Sequence, residues 1–184
     1  MGSPLSTPLP KNDTKKSPSP ATMKNFDISK YLGTWYEIAH TKGSDGSQCE
    51  NAIASYTSTQ IPEMYRVTNT CYEGSKKIGS YGGTLKINDP NSPARLKLQF
   101  DGFLKSEFDY WVYWTDYNYA LVGSSSGHFW VLSRTPQIGL CIFKSLIEKA
   151  TNLGLGVQKE IVQDFQSLRD CNATDLTTVN AIGA

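Results

Sequence analysis

The chain has 184 residues and a formal net charge of +1, enough for one domain with a sizeable core and too little charge to suit nucleic acid or an anionic membrane surface. No apolar run approaches the ~20 residues of a transmembrane helix. The 10 Tyr, 7 Phe and 4 Trp are many rings for this length, and rings fill cores or line pockets for planar and greasy ligands.

Residues 1–22 hold five of the nine prolines, with Ser, Thr and Lys and only two leucines. Such a segment buries too little apolar area to offset the entropy of ordering, so a disordered tail is expected. Phe26, Ile28, Tyr31 and Leu32 follow without β alternation and fit a short turn that plugs one end of a core. Gly33-Thr34-Trp35-Tyr36-Glu37-Ile38-Ala39 then reads as a first strand that starts at a tight bend and at once buries a ring. Seven further patterned runs recur at short intervals: 52–59, 64–72, 78–87, 95–100, 110–115, 119–123 and 129–135. Turn-forming clusters such as Asn88-Asp89-Pro90-Asn91-Ser92-Pro93 and Asp116-Tyr117-Asn118 separate them.

Eight strands joined by short turns argue an all-β, up-and-down antiparallel meander, and about eight strands close a barrel that holds one small ligand. The period then changes. Ile138, Cys141, Ile142, Leu146, Ile147 and Ala150 recur at three and four, which predicts one amphipathic α-helix packed on the outside of the barrel. A short run at 160–162 offers a last strand. The folded domain is expected over 23–175, with a loose polar tail over 176–184.

Cys49, Cys71, Cys141 and Cys171 show no C-x-x-C spacing, and His40 lies far from His128, so no metal site is expected. Widely spaced cysteines in a β-rich chain favour disulfides and an oxidising compartment, with three pairings open. No Ser-His-acid signature, phosphate loop or metal cluster is present, so an enzyme is not expected.

Three local signatures carry a resemblance. They are Gly33-Thr34-Trp35, Thr115-Asp116-Tyr117, and Arg134 in Leu132-Ser133-Arg134-Thr135-Pro136. Their order and setting resemble the lipocalin family, in the branch of apolipoprotein D, bacterial lipocalins and insect bilin-binding proteins. The resemblance covers about residues 25–171. It implies that Trp35 lies across the closed end of the barrel with Arg134 over its face, a cation–π contact worth ~0.5–2 kcal/mol. Ligand then enters at the other end.

If Arg134 marks the inward register, alternation turns Leu132, Trp130 and His128 into the barrel, with His128 nearest the mouth. The resemblance singles out Trp130 as a ligand contact. The same registration turns Phe108, Tyr110, Val112 and Trp114 inward, with Leu98, Phe100, Tyr81, Asn69, Cys71 and Val122. A slip of one residue inverts any of these sets. Asn69, Tyr110 and His128 offer hydrogen bonds to a carboxylate or carbonyl, and no inward Lys or Arg falls in the middle of these strands.

The resemblance also implies a Cys49–Cys171 disulfide, leaving Cys71 and Cys141 either bridged or free. It implies an extracellular protein, its signal peptide removed, that carries a small hydrophobic ligand such as a lipid, retinoid or sterol. No cofactor is required, although a bilin or carotenoid chromophore fits the ring-rich interior. The expected state is a monomer or weak homodimer. Two alternatives stand beside this reading. One is an isomerase-like or covalent pigment-binding protein that uses Cys71 as a pocket thiol. The other is a protein-interaction module built on the loops at the open mouth.

Overall fold

The computed structural model describes residues 20–43, 49–102, 107–156, 160–163 and 168–183. The expected tail over 1–22 therefore lies almost wholly outside the described residues, as do parts of the mouth loops.

A single helical turn, α1 (Ile28–Tyr31), opens the domain, its first turn capped by the Asp27 side chain accepting from the Ser29 N–H. Eight strands follow: β1 (Gly33–Thr41), β2 (Asn51–Ser58), β3 (Met64–Glu73), β4 (Lys76–Ile87), β5 (Arg95–Phe100), β6 (Glu107–Thr115), β7 (Tyr119–Gly123) and β8 (Phe129–Ser133). Each pairs antiparallel with the next, and β1 pairs with both β2 and β8, which closes the barrel. Closure leaves no long unpaired edge among these strands. A short strand, β10 (Ile161–Gln163), extends the sheet against the open-end half of β1.

Two apolar layers result. Trp35, Tyr31, Tyr56, Val67, Leu85, Leu96, Val112 and Ala120 fill the barrel toward its closed end. The second layer lies outside, where Ile142, Phe143, Leu146 and Ala150 of α2 (Leu140–Asn152) cover Ile38, Ala39, Leu121, Phe129 and Val131 of the sheet. The three-and-four spacing of those helix residues is what gives α2 its single apolar face.

The closed end is a lock between Trp35 and Arg134. The guanidinium carbon lies 3.8 Å from the indole centroid. Its nitrogens donate to the carbonyls of Thr34, Lys30, Tyr31, Leu32 and Tyr117 at 2.8–3.2 Å. The indole N–H donates to Tyr31 O at 2.8 Å. Gly33 is required here on two counts: its φ is +97°, and a Cβ would sit 3.3 Å from Arg134 Nη1.

The Thr115-Asp116-Tyr117 turn has an equally local cause. Tyr117 takes φ 69°, a left-handed conformation that costs a non-glycine residue about 1 kcal/mol or more. Four side-chain bonds hold it there. Thr115 Oγ1 accepts from Tyr117 N–H and donates to Tyr119 O, and Asp116 Oδ1 accepts from the amides of Asn118 and Tyr119.

Two expectations are corrected at the C-terminus. The segment beyond Cys171 is not loose: α3 (Ala173–Gly183) docks on α2 with Ile182 fully buried, and Lys149 Nζ donates to Ile182 O. An Asn172–Asp175 capping box starts it, each side chain accepting from the other residue's amide, and Arg169 clamps the Asp175 carboxylate. The disulfides also differ from the implied Cys49–Cys171 pair. Cys49 is bonded to Cys71, and Cys141 to Cys171. The topology requires this. Cys49 precedes β2 at the open rim, where Cys71 of β3 lies opposite Ala52. Cys171 follows β11 (Leu168–Arg169), which runs beside β9 (Ile138–Gly139) and so arrives at the start of α2.

Trp35→Ala is expected to lower stability by about 3–5 kcal/mol as a large-to-small core change. Arg134→Lys keeps the charge without the fork and is expected to lose about 2 kcal/mol or more. Urea midpoints of the two variants measure both. Replacing Cys141 and Cys171 by serine opens a bridge of sequence separation 30. The chain-entropy cost is about 3–4 kcal/mol, and hydrogen exchange is expected to rise first in α3.

Candidate ligand cavity

Strand pairing settles which side chains face the lumen. On β8, Trp130 lies opposite Val122 of β7 and His40 of β1, and Leu132 lies opposite Ala120 and Glu37. On β6, Tyr110 lies opposite Leu96 and Phe108 opposite Leu98. On β3, Asn69 lies opposite Tyr81 and Ala54. Phe100 faces Gly83 across β4 and β5.

Exposure then separates cavity wall from core filling. Val112, Val122, Leu132 and Leu98 face inward but are buried in the closed-end core. Trp130, Tyr110 and Phe100 pack against that core and keep part of their surface. Tyr81 and Phe108 are 59% and 47% exposed at the upper wall, where Phe108 meets the Phe100 ring at 6.0 Å between centroids. The lumen is thus an aromatic cup whose lower half is solid. Asn69 contributes a polar atom to its wall: Oδ1 is buried without a hydrogen-bond partner.

His128 precedes β8 and is held at the rim, with Nδ1 3.2 Å from Thr41 Oγ1, which also accepts from the Phe129 N–H. Trp114 is a correction. It faces outward opposite Leu121, packs in the outer layer and lies under Lys149 Nζ of α2 at 5.1 Å. A bulge between Val112 and Trp114 shifts the register and reverses the facing. Cys71 faces inward near the mouth, but its sulfur is bonded to Cys49. That removes the pocket thiol that an isomerase or a covalent pigment link would need.

The structure joins Tyr110 to further interior polar groups. Tyr31, Tyr56 and Tyr110 converge: the Tyr110 hydroxyl lies 2.7 Å from that of Tyr31 and 2.8 Å from that of Tyr56. Burial pushes Tyr56 up to about 12, and it pushes Tyr31 and Tyr110 well above the ordinary phenol value. Glu37 and His40, both on β1, also face the lumen as a hydrogen-bonded pair. Alternation from Trp35 reaches Glu37. It does not reach His40, because β1 bulges between Glu37 and Ala39. A separate cleft of about 380 Å³ lies outside the barrel between its closed end and α3, lined by Asp116, Asn118, Arg134 and Thr177. It is distinct from the lumen, and the Arg134 donors there are already committed to backbone carbonyls.

A closed antiparallel barrel, sealed at one end and cupped with rings at the other, is the architecture of a binding protein for small hydrophobic molecules. The family model of the lipocalin-like domain matches residues 26–164, and the chain belongs to the lipocalin family. Mouse apolipoprotein D is 31% identical over 164 residues, covering 84% of this chain and 85% of its own length. The outer membrane lipoprotein Blc of Citrobacter freundii is 32% identical over 152 residues, covering 79% and 85%. The structure of insecticyanin from the tobacco hornworm Manduca sexta shares the fold with a TM-score of 0.62 at 20% identity, covering 86% of this chain and 94% of that one.

The tyrosine cluster gives a pH test. The fold favours the neutral phenols, and the ordinary value is 10.0. Below that pH both folded and unfolded chains keep the protons, so stability is full. Above it the unfolded chain releases protons first, and stability falls as pH rises toward 12 and beyond. The expected slope is about 1.4 kcal/mol per pH unit for each buried tyrosine. Urea midpoints measured above about pH 9 should show this loss, and Tyr56→Phe should flatten it.

Proposed function

We propose that this protein is an extracellular carrier that takes up a small hydrophobic ligand reversibly through the open end of its barrel and performs no chemistry on it. The observation that carries the reading is the half-filled barrel. Closed-end side chains are packed out of reach, while Trp130, Phe100, Tyr81 and Phe108, all on the inward face of the ladder, keep part of their surface. Apolar surface left open in a concave site is the driving force for a greasy ligand, at about 25 cal/mol per Å² removed from water.

The two disulfides support an oxidising compartment. Among the described residues, no helix is long and apolar enough to cross a membrane. The relatives differ in setting, since Blc is by name an outer membrane lipoprotein, and secretion remains part of the proposal. So does a monomeric or weakly dimeric state. Among lipids, retinoids, sterols and conjugated pigments, the ring-rich wall favours a planar conjugated ligand, which stacks on Trp130 and Phe100.

Native mass spectrometry and absorbance of the purified protein test this directly: a co-purified hydrophobic mass or a visible band is the expected result. Trp130→Ala should weaken retinoid or fatty-acid binding by about tenfold or more while leaving the urea midpoint nearly unchanged. If no hydrophobic compound binds more tightly than ~10 μM, the carrier reading has no basis.

A further inference from the structure

The lumen of a carrier for greasy molecules is an unfavourable place for a carboxylate, yet Glu37 places one there. Its partner across the ladder is Leu132, an inward residue, and its neighbours Ile38 and Ala39 face the outer layer under α2. The Glu37 and His40 side chains retain 17% and 6% of their surface. With the outer face of β1 covered, the remaining surface of Glu37 opens to the cavity. His40 Nδ1 lies 2.6 Å from Oε1 and, among the described residues, is the one hydrogen-bond partner of this carboxylate. The second oxygen is left as an acceptor toward the lumen.

The surroundings point the same way. Asn69 Oδ1, a second acceptor in the wall, is buried and unpartnered. Along the middle of the described strands no Lys or Arg faces inward; Lys76 and Lys77 stand at the mouth end of β4, beyond its bulge. The guanidinium of Arg134 lies beyond Trp35 with its donors on backbone carbonyls. An ionised carboxylate only accepts hydrogen bonds, and in a site emptied of water its charge repels another anion strongly.

We infer that the Glu37 carboxylate, held by His40, sets ligand specificity: it selects hydrophobic molecules that bring an O–H or N–H donor into the barrel and rejects those that would bury a carboxylate head there. This rests on the carrier reading and sharpens it to one ligand class, donor-headed and uncharged or cationic. His40 is a positioning residue, since it fixes Oε1 and leaves the other oxygen for the ligand.

Retinol and retinoic acid share one polyene and differ in the head, so they make the test. Binding is followed by quenching of tryptophan fluorescence in the wild-type protein and in Glu37→Gln, a near-isosteric change. Wild type is expected to bind retinol at least about tenfold more tightly than retinoic acid. Glu37→Gln should bring the two within about threefold, mainly by improving the acid. Equal affinities in wild type, or a ratio that the substitution leaves unchanged, overturn the inference while leaving a carrier. If neither retinoid nor any other hydrophobic probe binds wild type, the carrier reading fails first and this one with it. Should circular dichroism show that the variant is unfolded, the wild-type ratio alone decides.

Discussion

The barrel depends on one guanidinium. Arg134 is covered by the Trp35 face on one side and meets carbonyls from α1, the start of β1 and the β6–β7 turn on the other. No other described residue joins the N-terminal segment, the first strand, the last barrel strand and that turn in one contact set. Charge-assisted hydrogen bonds to backbone carbonyls are among the stronger neutral-partner contacts, and they satisfy carbonyls that the end of α1 leaves open. The left-handed Tyr117 and the φ of Gly33 make sense as the backbone shapes that aim those carbonyls at the cation. Local strain is tolerated there because a half-buried, multiply bonded group over-determines the conformation.

Sealing one end that firmly makes the barrel asymmetric, and the asymmetry is what leaves room for a ligand. Close-packed interiors have few voids. Here the packing is spent on the closed-end half, where Tyr31, Tyr56, Leu85 and Leu96 interdigitate under Trp35. Above the Tyr31–Tyr110–Tyr56 hydroxyl cluster the wall changes to partly covered rings. The outer apolar layer lets this be stable, because α2 and α3 bury a second set of residues on the far side of the sheet. The cavity therefore need not contribute packing of its own.

Much of this architecture is legible in the chain. Turn residues mark the strand ends, period-2 runs give the strands, and a shift to period 3.6 marks α2. The motif residues Gly33, Trp35, Thr115, Asp116, Tyr117 and Arg134 report the closed end because each is tied to a backbone shape or a cation there. What escaped has physical reasons. The α3 helix is short and its apolar residues do not fall into one strong stripe, so its periodic signal is weak, although Asn172-x-x-Asp175 is a readable capping box. Disulfide partners depend on which ends of which elements meet, and a pairing borrowed from resemblance missed that Cys49 and Cys171 follow different paths around the barrel.

Two single residues, one of them the misplaced Trp114, decide the chemistry of the lumen. Strict alternation from Trp35 sends Ala39 inward and His40 outward; the bulge after Glu37 does the reverse and brings an imidazole beside the carboxylate. Strict alternation from Val112 sends Trp114 inward; the bulge in β6 turns it out against α2. A bulge costs a little ladder pairing and re-aims every side chain beyond it. Together the two remove an indole from the cavity and install a polar pair near its middle. The ligand preference of this barrel is therefore set less by which residues its strands contain than by two irregularities in how those strands are paired.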